Sequence, residues 1–369
     1  MNKLVISAIA LRSGGTLSIL QDCLKELSHE RYADLQIFVI LKDQRLFSGY
    51  SSNMQWIEID GTGSYLSRLY YEYWYFRKLS KKINADLWIS LHDMTPNVKA
   101  GKRVVYCHNP SPFYNLSWQE LYIDPKFAMF TCLYRYLYRI NIQKNDYVIV
   151  QQRWLRERFA AMYHLKKESV IVAHPRSETR AETKVPVGAG ITRFIFPTLP
   201  RVFKNVEVIG EAVRILNAAQ TENFEVIITI DGTENRYARW IKKRYGHLAN
   251  LKFAGAQPRE EIFNLYAAVD ALIFPSRLET WGLPISEFKE TGKLIILADM
   301  PYAHETLGEY ANACFFDPAS AGDLAKKMEA VIEKRNIGEN HREHEVIPAP
   351  FASNWHELMT ILLRSPQRH

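Results

Sequence analysis

The residues best suited to chemistry lie in the stretch from Phe274 to Glu287. Its apolar beginning predicts the end of a strand, and Pro284 predicts the first turn of a helix, where proline is favoured. Gly282 removes a side chain just before that helix, where free N–H groups and the positive end of the helix dipole bind anions. Glu279 in the loop and Glu287 inside the helix add two carboxylates. The pattern suits a ligand with hydroxyl groups at one end and a diphosphate at the other.

The run from Pro275 to Pro284 reads Pro-Ser-x-x-Glu-x-x-Gly-Leu-Pro and resembles the family 4 retaining glycosyltransferases of GT-B fold. Their signature is two glutamates separated by seven residues, as in this chain, and the resemblance extends over residues 193–328. It implies that Glu279 hydrogen-bonds the hexose of a nucleotide-diphosphate sugar and that Glu287 grips the ribose hydroxyls. We also assign the residues between them that line the loop to the donor site: Thr280, Trp281, Gly282 and Leu283.

Two cations, Arg201 and Lys204, follow the first predicted strand of the second half. An arginine there could bind a diphosphate through two parallel hydrogen bonds, and a lysine could bind it as a compact positive charge. The resembled enzymes carry an Arg and a Lys at this place, and Lys204-Asn205 matches their pattern; two solvated loop cations are the alternative. The chain has no D-x-D pair, which agrees with cations and a helix terminus neutralising the diphosphate. We therefore expect neither a metal ion nor a cofactor.

In the first half, the pair Gly14-Gly15 stands between a predicted strand and a predicted helix, where the backbone can approach a ligand. It lacks G-x-G-x-x-G, so the dinucleotide fingerprint is not met. The resembled enzymes often carry a Gly-rich loop here beneath the donor phosphates, and a simple tight turn is the alternative. His108, in a His-x-Pro after a strand, resembles the family's active-site histidine, which contacts the donor sugar. A structural histidine is its alternative, and His92 is the second candidate.

The composition limits the class of protein and its partners. A length of 369 residues, with 47% hydrophobic and 24% charged residues, predicts a globular protein of two domains. The four cysteines form no C-x-x-C pair, which disfavours a disulfide framework or zinc site and fits a reducing cytoplasm. The net charge of +7 suits nucleic acid, an anionic membrane or a phosphorylated ligand. No zinc-finger spacing, RNA-binding motif or basic arm supports nucleic acid.

Short apolar runs alternate with amphipathic stretches, which is typical of parallel βα units. We predict two Rossmann-like, doubly wound α/β domains that face each other across a cleft, the GT-B fold class. The first spans residues 1–180 and the second 191–349, with Pro175–Gly190 as linker and a last helix, 354–369, packed back on the first. The predicted strands are Leu4–Leu11, Leu35–Leu41, Leu87–Leu91, Val104–Cys107, Tyr147–Val150, Val170–Ala173, Arg193–Phe196, Glu225–Ile230, Asn250–Phe253, Ala271–Phe274 and Leu294–Leu297.

Two segments of the first half, Tyr65–Lys82 and Phe127–Tyr138, are aromatic and basic. If their aromatic faces are exposed, they could rest on anionic lipid and meet a lipid-linked acceptor. If these faces are buried, the segments are ordinary first-domain helices, and we favour this interpretation. No apolar run is long enough to span a bilayer, and the apolar start of the chain predicts a buried strand rather than an export signal.

The resemblance implies transfer of a hexosyl group from a UDP-, GDP- or ADP-linked sugar to a glycan or lipid-linked saccharide, with retention of configuration. Such enzymes commonly serve surface-polysaccharide biosynthesis in the cytoplasm or on the inner face of the plasma membrane. A nucleotide-sugar epimerase or a sugar phosphorylase of the same fold is one alternative. A non-catalytic nucleotide-sugar-binding subunit of a glycan-assembly complex is another.

Overall fold

The computed structural model describes residues 2–11, 14–47, 49–50, 53–59, 64–175, 190–338 and 346–364. The chain divides into two compact units. Unit 1 comprises Met1–Phe113, Cys132–Arg176 and Ile347–His369, whereas unit 2 comprises Tyr114–Thr131 and Ser177–Val346. We predicted two continuous domains, residues 1–180 and 191–349. In the structure, Tyr114–Thr131 from the first of these ranges belongs to unit 2. Except for its two ends, the predicted linker Pro175–Gly190 lies outside the described residues.

The strands are, in chain order, β1 (Lys3–Ser7), β2 (Gln36–Leu41), β3 (Met54–Glu58), β4 (Leu87–Ser90), β5 (Lys102–Tyr106), β6 (Tyr147–Val150), β7 (Val170–Ala173), β8 (Thr192–Phe196), β9 (Phe224–Ile228), β10 (Leu251–Phe253), β11 (Ala271–Phe274), β12 (Leu294–Ala298), β13 (Ala313–Phe316) and β14 (Phe351–Ala352). Unit 1 holds an eight-stranded sheet in the order β14-β7-β6-β5-β4-β1-β2-β3. Unit 2 holds a six-stranded sheet in the order β10-β9-β8-β11-β12-β13. All of these strand pairs are parallel.

The helices are α1 (Gly14–Leu27), α2 (Tyr65–Tyr70), α3 (Phe76–Ile83), α4 (Trp118–Ile123), α5 (Pro125–Arg139), α6 (Arg153–Tyr163), α7 (Val206–Ala218), α8 (Arg236–Tyr245), α9 (Arg259–Ala268), α10 (Leu283–Lys289), α11 (Pro301–Leu307), α12 (Ala321–Ile332) and α13 (Trp355–Leu363). A π-helical turn, Tyr71–Tyr75, joins α2 directly to α3. Polar side chains cap several of these helices, as the Ser64–Ser67 and Ser117–Glu120 capping boxes do for α2 and α4. Within the described ranges, no helix is both long and apolar enough to cross a bilayer.

The sheet of unit 1 is covered on both faces, because successive residues of a strand point to opposite sides. Leu4 and Ile6 of β1 contribute to a core that includes Leu24 of α1 and Leu358 and Leu362 of α13. The residue between them, Val5, belongs to a second core together with Phe76 and Ile83 of α3. The near-continuous apolar runs of the parallel strands therefore follow from burial on two faces.

The last helix belongs to unit 1. Strand β14 pairs with β7, and the Lys102 ammonium donates to the Leu362 carbonyl at 2.9 Å. Asn354 caps the helix by accepting from the Glu357 N–H. The chain thus returns to its first unit through a short strand and a helix, although residues 365–369 lie outside the described part.

Every predicted strand is present; Tyr147–Val150, Val170–Ala173 and Ala271–Phe274 have the predicted ends, and the other strands differ at one or both ends. The first ends at Ser7 rather than Leu11, although Ile9 and Leu11 beyond it are buried. Strands β3, β13 and β14 were not among the predicted ones, since β3 alternates only weakly and β14 is two residues long. The expected doubly wound α/β architecture in two halves is confirmed.

Candidate functional site

The order of the six-stranded sheet in unit 2 locates the place where a ligand is expected. The chain starts at β8, builds β9 and β10 on one side, and then returns to build β11, β12 and β13 on the other. Neighbouring strands β8 and β11 therefore lead into loops that diverge, and ligands of doubly wound sheets bind at the carboxyl ends of such strands. Lys204 follows β8 and Glu279 follows β11.

Lys204 and Glu279 form an ion pair at this switch point. The Lys204 ammonium donates to Glu279 Oε1 at 2.5 Å, and the two side chains are only 16% and 14% exposed. The ammonium also lies 5.5 Å from the centre of the Phe203 ring and 5.6 Å from that of Phe274. Aromatic faces attract a cation, and their bulk reduces its hydration. A lysine has three N–H donors, so the pair with Glu279 leaves it able to bind a second anion.

Asn205 ties together the loops that carry this pair. It adopts a left-handed backbone conformation with φ of 56° and precedes α7. Its buried side-chain amide donates to the Pro275 carbonyl at 3.3 Å and to the Pro318 carbonyl at 2.9 Å. An asparagine fits here because it tolerates positive φ better than most residues and carries two amide donors. The sequence pattern identified Asn205 only as the neighbour of Lys204.

Arg277 also fixes these loops, although no sequence pattern predicted its role. Its guanidinium donates to the Val202 carbonyl at 3.1 Å and pairs with Glu207 at 2.9 Å and Glu120 at 3.0 Å. Burial alone would lower the pKa of Arg277, but Tyr114, Glu207 and Glu120 raise it. The arginine therefore stays charged and holds the loop after β8 against the loop after β11.

Within the described residues, Arg201 contacts Asp124 rather than the Lys204–Glu279 pair. Its guanidinium lies 3.6 Å from Asp124 Oδ2, and the arginine side chain is 41% exposed. Asp124 belongs to the exchanged segment Tyr114–Thr131, which also places Phe127 against the Phe203 ring at 5.0 Å. Asp124 lies 77 positions before Arg201, so the sequence around Arg201 gave no indication of this partner.

Contacts of its own residues with the protein interior stabilise the loop between Glu279 and Glu287. Gly282 has φ of 86°, a conformation that side chains rarely adopt, and a Cβ there would lie 3.0 Å from Ile285 Cδ1. Trp281 is buried and donates to Ser286 Oγ at 2.9 Å, while its carbonyl accepts from the Thr306 hydroxyl. The Trp281 side chain therefore supports the loop, and Thr280 and Leu283 on either side keep intermediate exposure.

Helix α10 begins at Leu283 with Pro284 in its first turn, as expected, but it is only seven residues long. The Ile285 N–H bonds back to the Gly282 carbonyl at 2.9 Å, which removes one of the amides that face outward at a helix start. A short helix has a small dipole. The capacity to bind an anion therefore rests more on the Lys204 side chain than the sequence pattern indicated.

Glu287 forms a separate polar cluster with α9. Its carboxylate accepts from Arg259 at 3.0 Å and from the Tyr266 hydroxyl at 3.3 Å, and the Glu287 side chain is 11% exposed. Burial and the neighbouring Glu287 raise the pKa of Tyr266 well above its usual value, so Tyr266 remains a hydrogen-bond donor. The two partners fix one face of the carboxylate. Neither was predicted, because nothing in α9 marks them from sequence.

In unit 1, the switch in strand order lies between β1 and β4. Gly14 and Gly15, which follow β1, open helix α1. His92, after β4, has both ring nitrogens engaged inside the protein: Nε2 lies 3.0 Å from Ser7 Oγ and Nδ1 lies 3.0 Å from Glu72. All three side chains of this network are buried. His92 is thus committed to internal contacts.

His108 follows β5 and has a different environment. Its Nε2 bonds to the Leu91 carbonyl at 2.8 Å, which requires the proton on Nε2, and its ring stacks on Tyr106 at 4.4 Å. Its backbone N–H donates to Asp93 Oδ1 at 2.6 Å. The other ring nitrogen, Nδ1, has no partner within the described part of the chain. Nδ1 is therefore an unused hydrogen-bond acceptor, unlike the ring nitrogens of His92, but it is buried, so a ligand hydroxyl reaches it only if neighbouring side chains move.

The burial of His108 predicts how the stability depends on pH. Burial lowers the pKa of His108 below 6.5 despite the opposing effect of Asp93. In the window below about pH 6.5 the unfolded chain therefore binds more protons, and the folded state loses stability as the pH falls. We expect His108→Asn, which keeps a donor for the Leu91 carbonyl, to reduce this acid destabilisation. Thermal unfolding midpoints at pH 7.5 and 5.5 measure it, and equal losses in both proteins would contradict the assignment.

Comparison with known proteins gives a family match for part of the chain and a fold for nearly all of it. Residues 184–345, which contain Lys204, Glu279 and Glu287, match the family model described as "Glycosyl transferases group 1". No curated protein sequence matches the chain. The match covers less than half of the chain, and over that stretch the chain is similar to group 1 glycosyltransferases.

Solved glycosyltransferases share the architecture over nearly the whole chain. Alr3699/HepE of Anabaena, solved in complex with UDP and glucose, has a TM-score of 0.63 and 16% identity, covering 90% of both chains. The lipopolysaccharide outer core galactosyltransferase WaaB has a TM-score of 0.63 and 14% identity, covering 90% of both chains. A glycosyltransferase from Rickettsia africae ESF-5 has a TM-score of 0.61 and 16% identity, covering 90% of this chain and 88% of its own. The fold is GT-B.

Proposed function

We propose that the protein is a retaining glycosyltransferase that moves a hexosyl group from a nucleotide-diphosphate sugar to a glycan or lipid-linked saccharide. The observation that carries the proposal is the largely buried Lys204–Glu279 pair at the switch point of the unit 2 sheet. It lies inside the stretch that matches group 1 glycosyltransferases. The complexes of Alr3699/HepE with UDP-glucose and UDP support a nucleotide sugar as donor.

In this proposal Lys204 neutralises the charge that develops on the diphosphate as the bond between the hexose C1 and the phosphate oxygen breaks. A fixed cation among aromatic rings is effective because it needs little reorganisation and is weakly screened by water. Glu279 orients the ammonium and accepts a hydrogen bond from a hexose hydroxyl. Arg201, which is half exposed and weakly paired, is a second candidate for the diphosphate.

Glu287 takes the ribose hydroxyls. Arg259 and Tyr266 hold the carboxylate in place, so little side-chain entropy is lost when it accepts from a ribose hydroxyl. The Thr280–Leu283 loop supports the hexose through its backbone, since the Trp281 side chain is committed to Ser286.

The acceptor hydroxyl attacks C1 on the face from which the diphosphate leaves, and its proton passes to the departing phosphate oxygen. This keeps the configuration at C1 and balances the charge without a metal ion. In unit 1, we assign His108 Nδ1 as acceptor for a hydroxyl of the donor sugar, and Gly14 and Gly15 as the backbone nearest the donor phosphates. Surface-polysaccharide assembly is the proposed pathway.

Nucleotide binding tests the proposal directly. We expect one of UDP, GDP and ADP to raise the thermal unfolding midpoint more than the other two, because a ligand that binds only the folded state stabilises it in proportion to its affinity. Sugars linked to the preferred nucleotide should then be hydrolysed slowly by the purified protein in the presence of EDTA. Analysis of the anomer formed on an acceptor glycan tests retention.

Each alternative leaves a different trace in these assays. An epimerase converts the donor sugar without an acceptor, and a phosphorylase requires free phosphate. A non-catalytic subunit binds the nucleotide but leaves the donor intact. Failure of all three nucleotides to stabilise the folded protein would overturn the proposal.

A further inference from the structure

One surface of unit 1 combines large exposed apolar side chains with cations. Along the helical stretch α2, π-turn and α3, Leu66 is 79% exposed, Tyr70 54% and Trp74 63%. The opposite side of the same stretch buries Phe76 and Ile83 in the unit 1 core. The stretch therefore lies on the surface with one face anchored, and its other face presents side chains that proteins usually bury.

The π-turn keeps these side chains on one face. Residues spaced by four advance about 40° per step around a regular α-helix of 3.6 residues per turn. The turn Tyr71–Tyr75 closes i→i+5 hydrogen bonds, so it holds more residues than an α-helical turn and opposes that drift. Leu66, Tyr70 and Trp74, each four residues apart, thus form a stripe.

The charges beside the stripe all have one sign. Arg77, Lys78, Lys81 and Lys82 are exposed on α3, immediately after Trp74. The sole acidic residue between positions 64 and 84 is Glu72, which is buried beside His92. The stretch therefore presents cations and no anions to its surroundings.

A second stretch of unit 1 repeats this combination. Leu133, Tyr136 and Ile140, spaced by three and four, are 39%, 65% and 42% exposed. The exposed cations around them are Arg135, Arg139 and Lys144, and no acidic residue occurs between positions 132 and 145. Spacing by three and four places apolar side chains on one side of a helix.

The two stretches lie next to each other. Arg68 of α2 is close to Tyr134 of α5: burial would lower the pKa of Arg68, but Glu72, Tyr134 and Asp93 raise it. Tyr134 itself is buried, while its neighbour Leu133 is exposed. Arg68 also donates to the His92 carbonyl, and Tyr138 of α5 donates to the adjacent Asp93 at 2.7 Å, so the two stretches adjoin. We call their exposed apolar and basic residues the aromatic–basic face.

The aromatic–basic face carries a local excess of positive charge. Its seven exposed cations stand against a single acidic residue in the two stretches, the buried Glu72. A surface that is both basic and apolar is complementary to a polyanionic, partly apolar partner. A bilayer that contains anionic lipids has both properties.

We propose that the aromatic–basic face docks on an anionic lipid bilayer, with Leu66, Tyr70, Trp74 and Tyr136 in the headgroup region and the cations on lipid phosphates. Tryptophan and tyrosine favour this region because their rings are apolar and their edges are polar. Lysine and arginine place their apolar stems along the interface and keep their charges at the headgroups. This inference goes beyond the proposed reaction and does not depend on it.

Sedimentation of the full-length protein with lipid vesicles tests the proposal without any donor or acceptor. We expect binding to vesicles of phosphatidylcholine with phosphatidylglycerol, none to pure phosphatidylcholine, and weaker binding as salt increases. The triple change Lys78→Glu, Lys81→Glu and Lys82→Glu should lower the partition coefficient at least about tenfold, given the contribution of each cation near an anionic surface.

A matched control separates the aromatic–basic face from net charge. Lys243→Glu, Lys252→Glu and Lys326→Glu remove the same formal charge from exposed positions of unit 2 and should leave vesicle binding nearly unchanged. Trp74→Ser keeps the charge and should weaken binding roughly fivefold or more, since an interfacial aromatic anchor is lost. Unchanged unfolding midpoints show that each variant is folded.

The proposal fails if the protein does not bind anionic vesicles, if both triple variants lose binding equally, or if neither the α3 triple variant nor Trp74→Ser weakens it. Donor hydrolysis in the absence of vesicles should be the same in all these proteins. A loss of membrane binding is therefore distinguishable from a failure of the proposed reaction.

Discussion

Replacing Lys204 with alanine is expected to lower kcat/KM for glycosyl transfer about hundredfold, which is the usual loss when one fixed donor to a developing oxyanion is removed. The ammonium is the cation held at the switch point by Glu279 at 2.5 Å, and it is shielded by Phe203 and Phe274. Its loss leaves the diphosphate charge uncompensated as the glycosidic bond breaks. Steady-state kinetics with the preferred donor measure the effect.

Controls separate this effect from a general loss of structure. Lys252→Ala removes an exposed lysine of the same unit and should leave kcat/KM within about twofold, as expected for a surface change. Glu279→Gln should lower transfer as well, and the double variant should be less impaired than the product of the single effects, because the two groups act as a pair. Near-normal turnover of a folded Lys204→Ala protein would remove Lys204 from the mechanism.

Glu287→Ala is expected to weaken binding of the preferred nucleoside diphosphate between about tenfold and a hundredfold, the value of a charged hydrogen bond converted to affinity. The carboxylate is already oriented by Arg259 and Tyr266, so the loss should appear mainly as affinity. Isothermal titration with the nucleotide measures it.

The matched control for this second prediction is Glu290→Gln, which alters an exposed acid three positions further along. It should bind the nucleotide like the unchanged protein. If Glu287→Ala is folded and retains full affinity, the carboxylate only stabilises the packing of α9 and α10, and a different residue must recognise the ribose.

Local patterns were enough to predict most of the fold. Gly282 with Pro284 marked the start of α10, because positive φ and a proline in the first turn have few alternatives. Strand runs were readable because parallel strands buried on both faces are continuously apolar.

The contacts within the candidate site were less predictable, because they join distant parts of the chain. Glu279 and Lys204 were each identified, but their pairing across 75 positions depends on β8 and β11 being neighbours in the sheet. The partner of Arg201, Asp124, comes from a segment that the sequence assigned to the other half. Arg277 was one of the four unspecified positions of the motif, and its role appears only once both loops are placed.

The two aromatic segments of the first half show a limit of predicting buried helix faces from hydrophobic spacing. We expected their aromatic faces to be buried, and this is correct for Phe76 and Tyr138 but wrong for Trp74 and Tyr136. Both segments are aromatic on two sides, so a hydrophobic pattern cannot distinguish the core-facing side from the exposed one. The π-turn, which sequence rules do not predict, also changes which residues share a face.

The segment Tyr114–Thr131 has a consequence for engineering. It supplies Glu120 to Arg277 and Asp124 to Arg201, although it precedes the family-matched stretch by more than fifty positions. A fragment that began after Arg176 would lose both carboxylates and expose the apolar side of the loop after β8. Chimeras that exchange donor preference between related enzymes should therefore transplant Tyr114–Thr131 together with the second half of the chain.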